Sequence, residues 1–341
     1  MPSLHPRSLS SIGYGSDDAG LICAFRFEAD GHGVAVEARA AFAALSGGPT
    51  DAFYWLHFNL ANNAADRSMR GGLALPELFY DTIAEGARTT RVEYADEWLI
   101  GVLNDALFDF AEAVPDTSTM WLCLDRRVLV SARRKPLRSV DRLRHAVKEG
   151  ERFVSTVALL VHLLRDQADV LAGILRDATT RIDGVEDSLL ADRLDTRRAD
   201  LGAMRRALVR LGRLFAPEPT ALFRLLNRPP VWMAEADATD VRESTEEFAA
   251  ALADMASLLE RIKLLQEEIA ARVSEQNNRS LFLLTIFTVL ALPINIIAGL
   301  FGMNVGGIPL ARDDHGFWVI VGIVATLTLV GVWTVFRRRP R

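Results

Sequence analysis

The sequence predicts an α/β domain followed by a long helical region and two C-terminal transmembrane helices. Short apolar runs typical of strands occur only in the first 135 residues. The stretch 233–292 contains neither proline nor glycine, and the two longest charge-free apolar runs both follow residue 280. We therefore divide the 341-residue chain into an acidic α/β domain at 1–135, a helical region with a long stalk helix at 136–280 and a transmembrane hairpin at 281–341.

The composition excludes several classes of protein. Half of the residues are hydrophobic, which argues against a disordered chain. The two cysteines, Cys23 and Cys123, are too few for a disulfide scaffold. A pI of about 5.8 argues against a nucleic-acid binder. The sequence contains no Gly-rich phosphate loop, so we expect no ATP binding, and no pattern pairs a nucleophile with a base, so we expect no enzyme.

The α/β domain is predicted from short apolar segments. We predict strands at 20–27, 52–60 and 119–132, because each segment is rich in apolar residues. Helical patterns lie between them, including 76–86 and 96–113. Up to residue 118 the chain carries 7 basic and 17 acidic residues, so this domain is strongly acidic.

Helices follow the α/β domain. We predict them at 139–149, 152–190 and 193–214 from their helical period. A turn region comes next, because four prolines interrupt it: Pro217, Pro219, Pro229 and Pro230. The last helix is predicted to extend from Asp237 to Phe301, which at 1.5 Å per residue is roughly 98 Å.

The stalk helix carries a heptad repeat. Apolar residues recur every seven positions at Phe248, Met255, Ile262 and Ile269, and a second series follows at Leu252, Leu259 and Val273. Such a repeat is typical of a packing seam. The seam packs either against other helices of the same chain or against copies of itself, and both arrangements are compatible with the pattern.

The C-terminal region has the pattern of a membrane hairpin. The segments 281–301 and 317–336 contain no charged residue, and about 20 residues are needed to cross a hydrocarbon core of roughly 30 Å. Trp318 and Trp333 lie near the two ends of the second segment, where interfacial aromatics are expected. The alternative is a pair of buried helices in a soluble protein, which rarely lack charge over such a length.

The distribution of Lys and Arg predicts the orientation of the hairpin. Positive residues precede the first span at Arg261, Lys263, Arg272 and Arg279, and follow the second at Arg337, Arg338, Arg339 and Arg341. The loop 302–316 contains only Arg312. Positive residues remain in the cytoplasm, so both termini and the basic tail are predicted to be cytoplasmic and the loop to face outward. The acidic domain is then cytosolic, with reduced cysteines.

The end of the first span carries a recognisable motif. Residues 293–304 read PINIIAGLFGMN, and the final Gly302-Met303-Asn304 follows a long charged helix and precedes a second span that closes the sequence. In this position the motif resembles the signature of the CorA-type divalent metal ion transporters. The next residues, 305–309, are similar to the zinc-transporting ZntB branch, since magnesium-transporting members typically carry an acidic residue there. Phe301 departs from the tyrosine that many members have.

The resemblance implies a CorA-like, funnel-shaped homopentamer in a bacterial inner membrane. Its partners would be copies of itself, the lipid bilayer and divalent cations. Zn2+ is the predicted transported substrate, Mg2+ or Co2+ is the alternative, and no cofactor is implied. Gly302, Met303 and Asn304 would form the selectivity ring, with the Asn304 amide oxygens holding a hydrated ion in its outer shell. A different class remains open, a membrane-anchored coiled-coil signalling or scaffold protein without a pore.

One face of the first span is predicted to line the pore. Steps of three or four residues back from Gly299 give Asn295, Leu292, Thr288, Leu284, Leu281 and Asn278. Thr288 and Asn295 are two of the three polar side chains in the span, and polar groups facing lipid are costly. The leucines on this face would form rings that gate by dewetting. The alternative for Asn295 is a hydrogen bond between helices, and the Val289 carbonyl that Pro293 frees could equally be its partner.

The sequence does not contain an obvious zinc site. The six histidines are scattered and no CxxC or HxH pattern occurs, although zinc normally prefers nitrogen and sulfur ligands. His315 beside Asp313 and Asp314 is the only plausible cluster, and we interpret it as a solvated loop. The zinc assignment therefore rests on the resemblance. Neither span contains an ionisable residue, so no proton relay is predicted in the membrane.

Overall fold

The computed structural model describes residues 15–47, 51–86, 90–107, 116–191, 198–303, 309 and 314–337. The chain forms two compact units, Met1–Leu264 and Leu265–Arg341. The predicted division of the chain at residues 135 and 280 into a domain, a helical region and a hairpin stays a prediction.

The first unit contains a seven-stranded sheet among its described residues. The strands are β1 (Leu21–Phe27), β2 (Gly33–Ala35), β3 (Phe53–Asn59), β4 (Arg91–Ala95), β5 (Trp98–Leu107), β6 (Asp116–Leu124) and β7 (Val128–Arg133). They are ordered β2-β1-β3-β7-β6-β5-β4. Strands β3 and β7 pair in parallel and the other neighbours are antiparallel. The sheet is therefore mixed, as an α/β domain allows.

Helices occupy most of the remaining described chain. They are α1 (Ala38–Ser46), α2 (Ala64–Gly72), α3 (Glu77–Glu85), α4 (Arg138–Lys148), α5 (Thr156–Leu190), α6 (Arg198–Phe215), α7 (Pro217–Leu226), α8 (Glu235–Phe301) and α9 (Gly316–Arg337). Helix α8 begins in the first unit and ends in the second.

Both faces of the sheet are covered by helices. On one face, Leu56 belongs to a core that includes Met69 of α2 and Phe79 of α3. On the other face, the neighbouring Trp55 belongs to a core with Leu143 of α4 and residues of α5. Successive strand residues point to opposite faces, so a strand buried on both sides needs a continuous apolar run. This explains why β3 reads FYWLHFN rather than as an alternating pattern.

Several predicted elements are confirmed. The strands predicted at 20–27 and 52–60 are β1 and β3, and the helix predicted at 76–86 is α3. The helices predicted at 139–149, 152–190 and 193–214 are α4, α5 and α6, within four residues at each described end, and residues 193–197 lie outside the described residues. The long helix is confirmed as α8, which begins two residues before the predicted start and ends at Phe301 as predicted.

The helix predicted at 96–113 is wrong. Where the structure describes this segment, it forms an antiparallel hairpin of β4 and β5, with Ala95 opposite Trp98. Asp96 and Glu97 form the two-residue turn, and both have positive φ, 52° and 68°. The prediction failed because β5 is largely buried and therefore shows no alternation that would distinguish a strand from a helix.

The single strand predicted at 119–132 is also wrong, since two strands, β6 and β7, occupy it. Between them, Oδ1 of Asp125 accepts hydrogen bonds from the backbone N–H groups of Arg127 at 2.7 Å and Val128 at 2.8 Å. An aspartate that bonds the backbone two residues ahead favours a turn. The charged Asp-Arg-Arg segment was the available signal for this turn.

The proline-rich turn predicted after residue 216 contains a helix, α7. Pro217 and Pro219 lie in its first turn, where backbone N–H groups have no partner within the helix. Proline is tolerated there because it removes a hydrogen bond that would not form. The prolines thus mark the beginning of α7 and not an extended break.

A half-buried histidine connects the segment after α4 to α5. The Nδ1 atom of His162 lies 3.2 Å from Oδ2 of Asp166, and its Nε2 atom lies 3.6 Å from Oε2 of Glu151. Arg142 of α4 lies 3.4 Å from the other oxygen of Asp166. Burial alone lowers the pKa of His162, but the two carboxylates outweigh burial and raise this pKa above its ordinary value.

We expect this histidine to make stability depend on pH. Because its pKa is higher in the folded chain, its contribution is present below the unfolded pKa of about 6.5 and is lost as pH rises through the folded value. The free energy of unfolding of the unmodified protein should therefore fall as pH rises from about 6 to 8. In His162→Gln this fall should be smaller, by about 1 kcal/mol or less. Urea unfolding of the protein in detergent measures this, with the exposed His145→Gln as the control. If the free energy of unfolding changed equally with pH in His162→Gln and in the unmodified protein, the proposed role of His162 would be contradicted.

Candidate functional site

The predicted pore face lies on the C-terminal part of α8, within the second unit. Helix α8 continues through Pro293 to Phe301, and the N–H of Gly302 then donates to the carbonyl of Ala298 at 2.9 Å. A window of this helix is long and apolar enough to cross a membrane, and none of the window is buried. Helix α9 contains a shorter apolar segment, Gly316–Gly331, so a second span stays a prediction.

A stripe of half-buried residues marks where α8 and α9 pack together. On α8 the half-buried positions are Ile286, Leu290, Pro293 and Ile297, and on α9 they are Ile320, Val324, Thr328 and Gly331. Both sets recur every three or four residues and so form one face of each helix. A Cβ atom built on Gly331 would lie 3.0 Å from Cδ2 of Leu290. The helices therefore approach closely at this glycine.

The predicted pore face lies opposite this packing stripe. The face comprises Asn278, Leu281, Leu284, Thr288, Leu292, Asn295 and Gly299, and all seven residues are exposed in the single chain. At 3.6 residues per turn, the centre of the six positions from 281 to 299 lies roughly 170° around the helix from the centre of the stripe. Asn278 lies toward the edge of this face. The face is consequently available for contacts outside its own hairpin.

The polar side chains of the first span differ in their hydrogen bonds. The hydroxyl of Thr288 donates to the carbonyl of Leu284 at 2.9 Å, and that of Thr285 donates to the carbonyl of Leu281 at 2.8 Å. Each hydroxyl proton is satisfied within the helix, while the oxygen can still accept. Among the described residues, no hydrogen bond involves the Asn295 amide. The carbonyl freed by Pro293, which is the alternative partner for this amide, therefore does not bind it here.

The Gly-Met-Asn motif begins where α8 ends. A Cβ atom at Gly302 would lie 3.0 Å from the Ala298 carbonyl oxygen, which favours glycine at this position. Met303 is exposed, whereas Asn304 lies outside the described residues. A Cβ atom at Gly299 would meet no heavy atom within 4 Å, so the chain's own contacts do not require glycine there. A small residue on an open helix face suits close approach by another helix.

The described residues do not provide a cluster of zinc ligands. No group of three or more His, Cys, Asp or Glu side chains that could hold a metal ion occurs among them. Asp314 and His315 are exposed, and Asp313 lies outside the described part of the chain.

The family follows from comparison with known sequences. The profile of the family described as CorA-like Mg2+ transporter protein matches residues 50–338. The chain belongs to this family. It is accordingly a divalent cation transporter and not an enzyme.

Individual relatives agree with this assignment. The CorA-family chain is 31% identical to the divalent cation transporter CmaX of Pseudomonas aeruginosa over 330 residues, which cover 94% of this chain and 97% of CmaX. The solved structure of full-length CmaX matches with a TM-score of 0.79 at 29% identity, covering 95% of this chain and 98% of that one. The zinc transport protein ZntB of Yersinia enterocolitica is 25% identical over 280 residues, or 82% of this chain and 85% of ZntB.

Sequence reasoning indicated the polar face of the first span of this CorA-family chain, and the role of this face in a pore stays a prediction. The packing stripe on the opposite face was missed. The 3–4 spacing of Thr288 and Asn295 was sufficient to indicate a polar face. The packing stripe was not predicted, because its members on α8 are apolar like most of their neighbours in the sequence. Gly331, within a segment of large apolar residues, was the available signal for a close helix contact.

Proposed function

We propose that this CorA-family chain forms a funnel-shaped homopentamer in which the first span of each copy surrounds a path for divalent cations. The observation that carries the proposal is the position of the polar face of α8 opposite the stripe that packs on α9. A face that carries Asn295 and Thr288 is costly against lipid, and α9 leaves it uncovered. Two helices cannot enclose a path, so copies of the chain must meet at this face.

The proposed path begins at the outward end of the first span. Gly302, Met303 and Asn304 of each copy would form the selectivity ring, and Asn304 would hold the hydrated ion through its amide oxygen. Behind it, Asn295 and Thr288 would offer acceptors. A ring of Leu292 would lie between them and rings of Leu284 and Leu281 beyond Thr288, and these leucine rings would gate by dewetting. Gly299 would allow the helices to approach, and Asn278 would lie at the inner end of the path.

We propose Zn2+ as the preferred substrate, with Mg2+ or Co2+ as the alternative. Similarity to ZntB supports zinc, while the family description names Mg2+ and CmaX is described only as a divalent cation transporter. The proposed location is a bacterial inner membrane, with both termini cytoplasmic. The loop 302–316 would then face outward, consistent with its single positive residue.

Ion flux into liposomes tests the function. Purified protein is placed in liposomes that contain a zinc- or magnesium-sensitive dye, and uptake is compared with protein-free liposomes. We expect faster uptake of Zn2+ than of Mg2+ at equal concentration. Faster uptake of Mg2+ would make Mg2+ the preferred substrate and leave the proposed transport function unchanged. An absence of flux for Zn2+, Mg2+ and Co2+ would contradict the proposed path.

The proposed assembly predicts a particle of five chains. Each chain has a mass of 37.6 kDa, and a closed path requires the pore faces of neighbouring copies to meet around one axis. Native mass spectrometry of the detergent-solubilised protein should give a protein mass of five chains. A mass of one or two chains would contradict both the pentamer and the path, because so few helices leave the polar face open to lipid.

A further inference from the structure

A groove of about 490 Å³ follows one edge of the sheet in the first unit. Strand β4 is the last strand of the described sheet, and it forms one wall of the groove over its whole length. Helix α7 and the turn after it form the other wall, through Ala221, Arg224, Leu225 and Arg228. These four positions are three or four residues apart from one another along the helix, and so they share one side of it.

Hydrogen bonds fix both ends of this groove. The hydroxyl of Thr90, directly before β4, donates to the carbonyl of Leu214 at 3.5 Å, and Leu214 lies three residues before α7. At the other end, the indole N–H of Trp232 donates at 2.8 Å to the carbonyl of Glu97, in the turn after β4. Between these ends, Val92 packs against the apolar core that includes residues of α7. The two walls are therefore held in place before any ligand binds, which lowers the cost of binding.

The outer edge of β4 carries backbone groups that no strand pairs. The two-residue turn after β4 places Ala95 opposite Trp98 as a hydrogen-bonded pair. Hydrogen-bonded pairs alternate along an antiparallel ladder, so the N–H and C=O groups of Val92 and Tyr94 point away from β5. In the part of the chain that the structure describes, none of these four groups has a hydrogen-bond partner. Such an open edge can accept an added strand.

The charged side chains of the groove favour a negatively charged ligand. Strand residues alternate between faces, so Arg91 and Glu93 point away from the face on which Val92 packs, and their side chains pair with each other at 2.7 Å. Arg224 and Arg228 lie on the α7 wall, and both are exposed. No hydrogen bond or ion pair between described residues involves either guanidinium group. The α7 wall therefore presents two cations that a ligand can pair.

We propose that this groove binds an extended peptide of another protein that carries acidic side chains at alternate positions. The peptide would add a strand to β4 through the open backbone groups of Val92 and Tyr94. Every second side chain of the added strand would face α7, roughly 6.6 Å from the next. Arg224 and Arg228 are one helical turn apart, with about 6 Å between their Cβ atoms. Two carboxylates separated by one residue thus match the two arginines.

The strands of this chain do not offer such a segment to a neighbouring copy. None of the seven described strands carries two acidic residues at alternate positions. The occupant is accordingly a separate protein rather than the sheet of a second copy. The groove is distinct from the path along α8, and its binding does not depend on transport.

A labelled synthetic peptide, Thr-Glu-Val-Glu-Val-Glu-Thr with blocked ends, tests the groove by fluorescence polarisation with the full-length protein in detergent. Arg224→Ala/Arg228→Ala should weaken its binding about tenfold, because two ion pairs are lost. The matched control is Arg206→Ala/Arg210→Ala, which removes two exposed arginines at the same spacing from α6 and should bind the peptide normally. An absence of binding to the unmodified protein, or equal binding by both double variants, would overturn the proposal.

Strand addition has its own test, because the arginines alone could attract an acidic peptide in any conformation. The fully N-methylated peptide has the same side chains but no backbone N–H donor, so it should bind at least about tenfold more weakly. Hydrogen exchange at the Val92 and Tyr94 amides should slow when the unmethylated peptide binds. Equal binding of the two peptides, or unchanged exchange at these two amides, would refute the added strand.

Native mass spectrometry distinguishes a separate partner from a second copy of the chain. Arg224→Ala/Arg228→Ala should leave the number of chains in the detergent-solubilised particle unchanged, because the groove is not an interface between copies. A smaller particle for this variant, but not for Arg206→Ala/Arg210→Ala, would show that a neighbouring copy covers the groove. The proposal of a separate acidic peptide would then be wrong.

Discussion

Replacing Asn304 with alanine is expected to abolish most ion flux while leaving the protein folded and assembled. In the proposed pentamer, the change removes a ring of amide oxygens at the point where the hydrated ion first meets the protein. A hydrogen bond contributes about 1 kcal/mol, so the loss of several should slow entry at least tenfold. The protein should still fold, because α8 ends at Phe301 and residue 304 follows it.

The liposome assay measures this effect with two controls. Asn304→Asp keeps oxygen acceptors in the ring and should retain flux. Asn227→Ala removes the same amide from an exposed position at the end of α7, in the first unit, and should leave flux unchanged. Size-exclusion chromatography of each variant shows whether assembly is intact. Normal flux through an assembled Asn304→Ala protein would show that this residue does not hold the ion.

Asn295→Leu is expected to reduce flux strongly, because it adds an apolar ring to the narrow part of the path. Leu292 already lies on the same face one turn earlier, and two adjacent apolar rings favour a dewetted section that blocks ions. Asn295→Asp should have the opposite effect and keep or raise cation binding, since its charge would face water. The opposite signs for two substitutions at one position distinguish a pore-facing residue from one that is needed for packing.

The matched control for Asn295→Leu is Thr326→Val on α9. Thr326 is exposed, its hydroxyl donates to the Gly322 carbonyl at 2.8 Å, and it lies on the side of α9 away from the packing stripe. Its replacement makes a span more apolar without touching the proposed path, so flux should not change. If Asn295→Asp prevented membrane insertion while Asn304→Ala transported normally, Asn295 would face lipid or packing, and the path would be wrong at its centre.

Features encoded by neighbouring residues were predictable from the sequence. The period of apolar residues located α4, α5, α6 and α8, because a helix that packs on one face repeats that face every three or four positions. The absence of charge located the apolar part of α8, because twenty uncharged residues are rare outside membranes. The helical period also predicted the polar face of α8, since Thr288 and Asn295 are seven residues, or about two turns, apart.

The sequence by itself thus determined the helical region, the apolar C-terminal segments and the motif that indicated the family. Tertiary structure decided the rest. Burial on both faces makes β5 apolar from Trp98 to Leu103 apart from Gly101, without alternation, so only strand pairing distinguishes this segment from a helix. The packing of Leu290 against Gly331 decides which side of α8 stays open. In the sequence Glu218 resembles an ordinary residue of a helix start, but the fold buries it completely. Burial, and then the charge of Asp105 more than a hundred residues earlier in the chain, raise its pKa to about 8.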